Sequence, residues 1–191
     1  MPKLVAKTAR LLARWWNFLA SEIRKINIRF QNPACKFGSG VAIEGGVFIR
    51  VIGEGQLRIG VNTLIKRGAV IVVKDGVLEI GDHGFIGWGT VICANERISI
   101  GDNALIAEHV SIRDQNHGIE ISGEPFRRQP LRCQPISIHE NVWIGAKATI
   151  LQGCELGCNS VVAANAVVNR SFDPNSVVGG IPARLLKQLE S

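Results

Sequence analysis

The sequence predicts an all-β fold: a parallel β-helix of hexapeptide repeats from about Val41 to Val178, with an amphipathic helix before it and a short C-terminal helix after it. Three observations predict it. An aliphatic residue leads block after block of six, Gly or Ala often stands second in the block, and the step persists through most of the 191 residues.

The blocks read Ile80-Gly-Asp-His-Gly-Phe, Ile86-Gly-Trp-Gly-Thr-Val and Ile92-Cys-Ala-Asn-Glu-Arg, and the frame resumes at Ile100 and Ile106. After a break it returns at Ile138, Ile144, Ile150, Leu156, Val162 and Val168, while Ile59, Ile65 and Ile71 keep the step upstream. Six residues make a short strand and a corner, and three such strands close a coil of about eighteen. The leading side chain points inward and stacks on its equivalent in the next coil, so the coils bury a column that no single repeat could bury alone. Strands related in this way are parallel and hydrogen-bonded from coil to coil. A helical period would not sustain the six-step.

Charge divides the chain into two parts. Residues 1–30 hold Lys3, Lys7, Arg10, Arg14, Arg24, Lys25 and Arg29 against Glu22 alone, and the rest carries equal numbers of acidic and basic residues. The whole formal charge of +6 therefore sits in the arm, and the body shows no basic face of the kind nucleic acid requires. We divide the chain into a basic arm, 1–30, and a β-helix domain, 31–191, which includes an extended loop, 113–135, and a C-terminal segment, 179–191.

In the arm, Lys3, Lys7, Arg10, Arg14, Asn17, Ser21 and Arg24 recur at alternating steps of four and three, a polar stripe on one helix face. Leu4, Leu12, Trp15, Trp16, Leu19, Ile23 and Ile26 lie largely away from it. Two destinations fit this pattern: an anionic membrane surface, or packing on the chain's own β-domain or a neighbouring subunit. Charges interrupt Leu4 to Ile28 too often for a spanning helix. The same interruptions, without a small-residue cleavage site, argue against a signal peptide. The five cysteines are odd in number and contain no C-x-x-C pair, which favours reduced thiols and a cytoplasmic protein.

The hexads, together with Asn141-Val142-Trp143-Ile144-Gly145 and Val178-Gly179-Gly180-Ile181-Pro182-Ala183-Arg184, resemble the hexapeptide-repeat acetyltransferases. The nearest subgroup is that of sugar O-acetyltransferases similar to the galactoside, maltose and lipopolysaccharide enzymes. The resemblance covers residues 41–187 and implies a left-handed coil, a homotrimer and acetyl-CoA as co-substrate.

Between Ile112 and Ile136 the hexad vanishes, and a loop this long in a solenoid is usually functional. It carries His117, whose imidazole suits the removal of a proton from an attacking hydroxyl. By resemblance, His117 stands at the family's catalytic position. Asp114, three residues earlier, either orients that imidazole, binds an acceptor hydroxyl or caps the loop. Ala146 and Ala164 match family positions that touch the pantetheine arm through main chain, and Arg170 and Arg184 match basic positions suited to phosphates. Trp88 stands where the sugar-acetylating relatives place a polar residue against the acceptor, and an indole there favours a sugar face or an apolar group. Trp143 is expected in the core or at a subunit contact, with stacking on substrate as the alternative. Arg127, Arg128 and Arg132 are available to an anionic acceptor or to solvent. His83, His109 and His139 fall at ordinary corner or edge positions.

No metal is expected. A zinc site like that of the γ-class carbonic anhydrases sets two histidines roughly five residues apart on adjoining faces, and the four here offer no such pair. The reading is an acetyl-CoA-dependent O-acetyltransferase of a cell-surface polysaccharide or its precursor, cytoplasmic or peripheral at the inner face of the membrane. Its alternatives are N-acetylation of an amino sugar or antibiotic, and a β-helix scaffold without catalysis.

Overall fold

The computed structural model describes residues 2–121 and 123–190, with side chains described at Leu12 and from Trp15 onward. The side chains of Lys3, Leu4, Lys7, Arg10 and Arg14 lie outside the described residues. An α-helix, α1 (Pro2–Gln31), leads into a left-handed solenoid of about six turns.

Three parallel sheets form the sides of the prism. Face A contains Cys35–Phe37, Gln56–Ile59, Val77–Ile80, Arg97–Ile100, Ile136–Ile138 and Glu155–Leu156. Face B runs from Ala42–Ile43 through Leu64–Ile65, Phe85–Ile86, Leu105–Ile106, Trp143–Ile144 and Val161–Val162 to Ser176–Gly180. Face C contains Phe48–Ile52, Val70–Lys74, Val91–Ala94, Ser111–Arg113, Thr149–Ile150 and Val167–Val168.

Register shows why the aliphatic residues recur. On face B, Ile43, Ile65, Ile86, Ile106, Ile144, Val162 and Val178 stack in one column, each no more than 2% exposed. Ile144 pairs with Val162 at the eighteen-residue step, whereas Ile43 pairs with Ile65 and Ile65 with Ile86 over longer steps. The extra residues of the early coils lengthen face C and the corner after it, where Gly53 and Asp75 adopt positive φ. The second place of the hexad is small for a steric reason: a Cβ on Gly145 would lie 2.6 Å from the Ala164 amide nitrogen of the next coil.

A solenoid must close both of its open ends. At the first coil α1 does so with its polar stripe: Ser21 Oγ accepts the Ile43 N–H at 2.9 Å. Arg24 donates to the Ile43 carbonyl at 2.8 Å, and Lys25 to the Val41 carbonyl at 2.8 Å.

At the last coil the expected short helix does not form. Ala183–Gln188 turns back as a strand antiparallel to Ser176–Gly180. The reason is local. Gly180, at φ 99°, and Pro182 turn the chain tightly, and the exposed edge of face B offers hydrogen-bond partners that an isolated six-residue helix would lack.

Candidate active site

The three corners of the prism sort the functional candidates. Trp88, Ala146 and Ala164 stand at the corner between faces B and C, in different coils. The Asn165 N–H donates to the Ala146 carbonyl at 2.9 Å, so the two alanine corners stack directly. Arg184 pairs with Gly179 on the closing strand, and Gly179 packs against Ala163, which places Arg184 above the same corner. The Arg184 guanidinium is exposed and, among the described residues, reaches only its neighbouring Ala183 carbonyl, at 2.9 Å.

His117 occupies the corner between faces C and A. There the chain leaves the coil as a hairpin, Gln115–His117 against Leu131–Cys133, with His117 opposite Leu131 and exposed. Gln129 organises the far part of this hairpin. Its amide donates to the Glu120 and Glu124 carbonyls at 2.8 and 2.9 Å and accepts the Glu120 N–H at 3.1 Å. Arg132 pairs with Glu120, and Arg128 lies 3.8 Å from Glu124, so two of Arg127, Arg128 and Arg132 already have anionic partners. The hairpin exposes Ile119, Ile121 and Phe126, an apolar tip unlike a merely solvated loop.

Asp114 is fully buried. Its Oδ1 accepts the Asn95 N–H at 2.8 Å, and its Oδ2 accepts the Glu96 N–H at 2.8 Å, both from the preceding coil. Its carbonyl accepts the Gln134 N–H at 2.9 Å from the returning strand. The expectation that Asp114 meets an acceptor hydroxyl is therefore corrected. With both oxygens taken by backbone N–H groups and no exposed surface, the carboxylate roots the hairpin. Neither Asn95 nor Gln129 is marked by any sequence pattern, because their roles depend on which coil lies beneath the loop.

Trp88 is half exposed, 6.3 Å edge-on from Phe85, and the Lys66 ammonium sits 4.8 Å above its ring. Lys66 also pairs with Glu44. Burial pushes the Glu44 carboxyl up, but the Lys66 ammonium and the Arg67 N–H outweigh it and hold the carboxyl below its ordinary range. This indole therefore belongs to a cationic corner.

Arg170 lies elsewhere. Its guanidinium covers the Phe172 ring at 5.1 Å and lines a cleft of about 480 Å³ with His139, Glu155 and Leu185, which does not include Arg184. Within one chain the two arginines do not converge. His83 and His109 are positive-φ corner residues, and His139 pairs with Glu155 at 2.8 Å. No group of three or more His, Cys, Asp or Glu suited to a metal occurs among the described residues.

Trp143 is 49% exposed, so it is not a core residue. It stands in an outward row on face B with Leu64, Phe85, Leu105 and Val161. The corresponding row on face A is Lys36, Arg58, Glu79, Ser99, Ser137 and Glu155. One side of the prism is built for water and another is apolar.

Comparison with known proteins agrees with this architecture. Residues 135–170 match the family model of bacterial transferase hexapeptide (six repeats). The galactoside O-acetyltransferase of Escherichia coli is 31% identical over 112 residues, covering 59% of this chain and 54% of the relative. The chain spans between 54% and 61% of the length of the first curated relatives it matches. Among solved structures, AntD, an N-acyltransferase from Bacillus cereus crystallised with dTDP and 3-hydroxybutyryl-CoA, superposes with a TM-score of 0.72 at 22% identity. It covers 88% of this chain and 87% of AntD, a likeness of fold. The hexapeptide-repeat acetyltransferase VCA0836 of Vibrio cholerae is 30% identical, with a TM-score of 0.54 over 82% of this chain and 74% of that one. With its repeats, its interrupting hairpin and these relatives, the chain belongs to the hexapeptide-repeat acetyltransferases.

Proposed function

We propose that the protein transfers an acetyl group from acetyl-CoA to a sugar hydroxyl, with His117 as general base. The observation that carries this reading is the rooted hairpin. The solenoid is interrupted once by a long excursion, Asp114 anchors that excursion to the coil below, and His117 is exposed on it. Neutral imidazole takes the hydroxyl proton as the oxygen attacks the thioester carbonyl. The tetrahedral intermediate then expels the CoA thiolate, which takes the proton back from the imidazolium.

Direct transfer agrees with the thiols. Burial pushes Cys35 and Cys154 up to about 11, and burial followed by Asp114 and Glu96 raises Cys133 on the hairpin. A thiol held protonated is a poor acyl acceptor.

The acting unit in this reading is a homotrimer. His117 and Arg170 lie on one edge of face C, and Ala146, Ala164, Trp88 and Arg184 on the other. Packing through the apolar row of face B brings one copy's His117 edge toward the next copy's Ala146 and Ala164. The main chain there holds the pantetheine arm, and Arg184 meets its phosphates. Trp88 offers its exposed indole to a sugar face. A glycan of the cell surface, or its precursor, is the acceptor class, and acetyl-CoA supply places the enzyme in the cytoplasm.

The test is release of free CoA thiol from acetyl-CoA in the presence of neutral glycans, amino sugars and glycan precursors. Acceptor-dependent release with a neutral sugar supports the reading. Release only with amines transfers the same site to N-acetylation, and failure to bind CoA by calorimetry removes catalysis altogether.

A further inference from the structure

α1 is turned opposite to an ordinary surface helix. The described part of its polar stripe faces the first coil, where Ser21, Arg24 and Lys25 satisfy the backbone groups of Ile43 and Val41, and Arg29 donates to the Phe37 carbonyl at 3.1 Å. These groups point away from the second coil, so the helix lies across the open end of the solenoid. Its apolar seam therefore points out of that end, away from the protein. Leu12, Trp16, Leu19, Ile23, Ile26 and Phe30 are between 50% and 87% exposed.

Side-by-side packing through face B leaves this seam uncovered, because the seam faces along the prism axis. A second helix is also a poor occupant. The flanks of the seam carry Trp15, Ala20 and Asn27 in place of complementary charges, and Trp15 with Phe18, 6.4 Å edge-on, widens it beyond a coiled-coil stripe. Charge identifies what fits. The arm holds seven basic residues and one acidic residue; the first coil takes up Arg24, Lys25 and Arg29, and Glu22 is paired with Lys25 at 2.6 Å, so the excess left lies in the four bases of residues 1–14. Among the described residues no helix is long and apolar enough to cross a membrane.

We propose that the exposed seam of α1 lies in the surface of an anionic lipid bilayer and stands the solenoid upright on it. The aliphatic and aromatic side chains enter the acyl boundary, the two indoles sit at headgroup depth, and the positive charge that the sequence holds in Lys3, Lys7, Arg10 and Arg14 draws the helix to lipid phosphates. Stacked coils rise about 4.8 Å each and a helix is about 10 Å thick, so the fourth coil with His117 stands roughly 25 Å above the lipid. On the acetyl-transfer reading, on which this last step rests, that height suits a lipid-linked glycan of several sugars over a bare headgroup.

The test is flotation of the full-length chain with phosphatidylglycerol–phosphatidylethanolamine vesicles and, separately, with phosphatidylcholine vesicles. Membrane binding is the readout, so the result is independent of any transferase activity. Binding to the anionic vesicles is expected, with roughly tenfold or greater loss on neutral vesicles and in Trp16→Glu and Ile23→Glu. Both substitutions lie on an exposed face, and unchanged thermal unfolding and circular dichroism confirm that the fold survives them. No flotation with anionic vesicles, or equal flotation of both variants, overturns the proposal. A fall in the mass of the wild-type assembly caused by Ile23→Glu, without any lipid binding, assigns the seam to a second copy of the chain instead.

Discussion

The Asp114 carboxylate accepts the Asn95 backbone N–H at 2.8 Å and so ties the departure point of the His117 hairpin to the turn of the coil below. A hydrogen bond to a buried charged group contributes more than a neutral one, and its removal leaves the part-buried Asn95 and Glu96 N–H groups without their partner. Asp114→Ala is therefore expected to lose about 2–4 kcal/mol of stability. It should also lower kcat more than it raises the KM for acetyl-CoA, since His117 moves while the Ala146–Ala164 corner does not. Thermal unfolding and steady-state kinetics check both parts.

Trp143 and Leu105 are neighbours in the outward row of face B, 49% and 43% exposed. A carboxylate in such a row cannot be desolvated without large cost. If the protein assembles through this row as proposed, Trp143→Glu is expected to sediment as a monomer in analytical ultracentrifugation and to lose transfer, while the far-ultraviolet spectrum stays that of a β-helix.

The cysteines give a prediction in pH. A raised pKa means less thiolate at any given pH, and thiolate is the species that alkylates. Cys35 and Cys154, at about 11 and buried, should stay unmodified by iodoacetamide in the native protein from pH 7 to pH 9. Cys158 is only half-buried and should react first, and Cys133, half-buried but raised, should follow it. Peptide mass mapping after a timed reaction reads the order.

Arg184 is exposed above the Ala164 corner and donates to its neighbouring Ala183 carbonyl. If it meets a phosphate of CoA, Arg184→Ala should raise the KM for acetyl-CoA by roughly tenfold with kcat little changed, the pattern of a lost uniform binding contact.

The repeats were legible because the solenoid writes its period into sequence. Ile86, Ile106 and Ile144 meet in space because each leads its own block. Three things were not legible. The orientation of α1 depends on the unpaired backbone groups of the first coil, which attract Ser21 and Lys25 and leave Trp16 outside. The last segment reads as a short helix in isolation, yet the open edge at Val177 and Val178 draws Leu185 and Lys187 into a strand. Asp114 reads as a ligand or a cap with equal ease, and only the position of Asn95 one coil below decides between them. In each case the deciding partner is remote in sequence and has no period of its own.

Removal of the acceptor proton by His117 is tested by single-turnover transfer in His117→Ala beside the wild type. Acetyl-CoA binding by calorimetry should be unchanged within about twofold, while transfer falls by roughly 10²–10⁴-fold. Full transfer activity in His117→Ala, with the same acceptor and the same pH profile as the wild type, would contradict it.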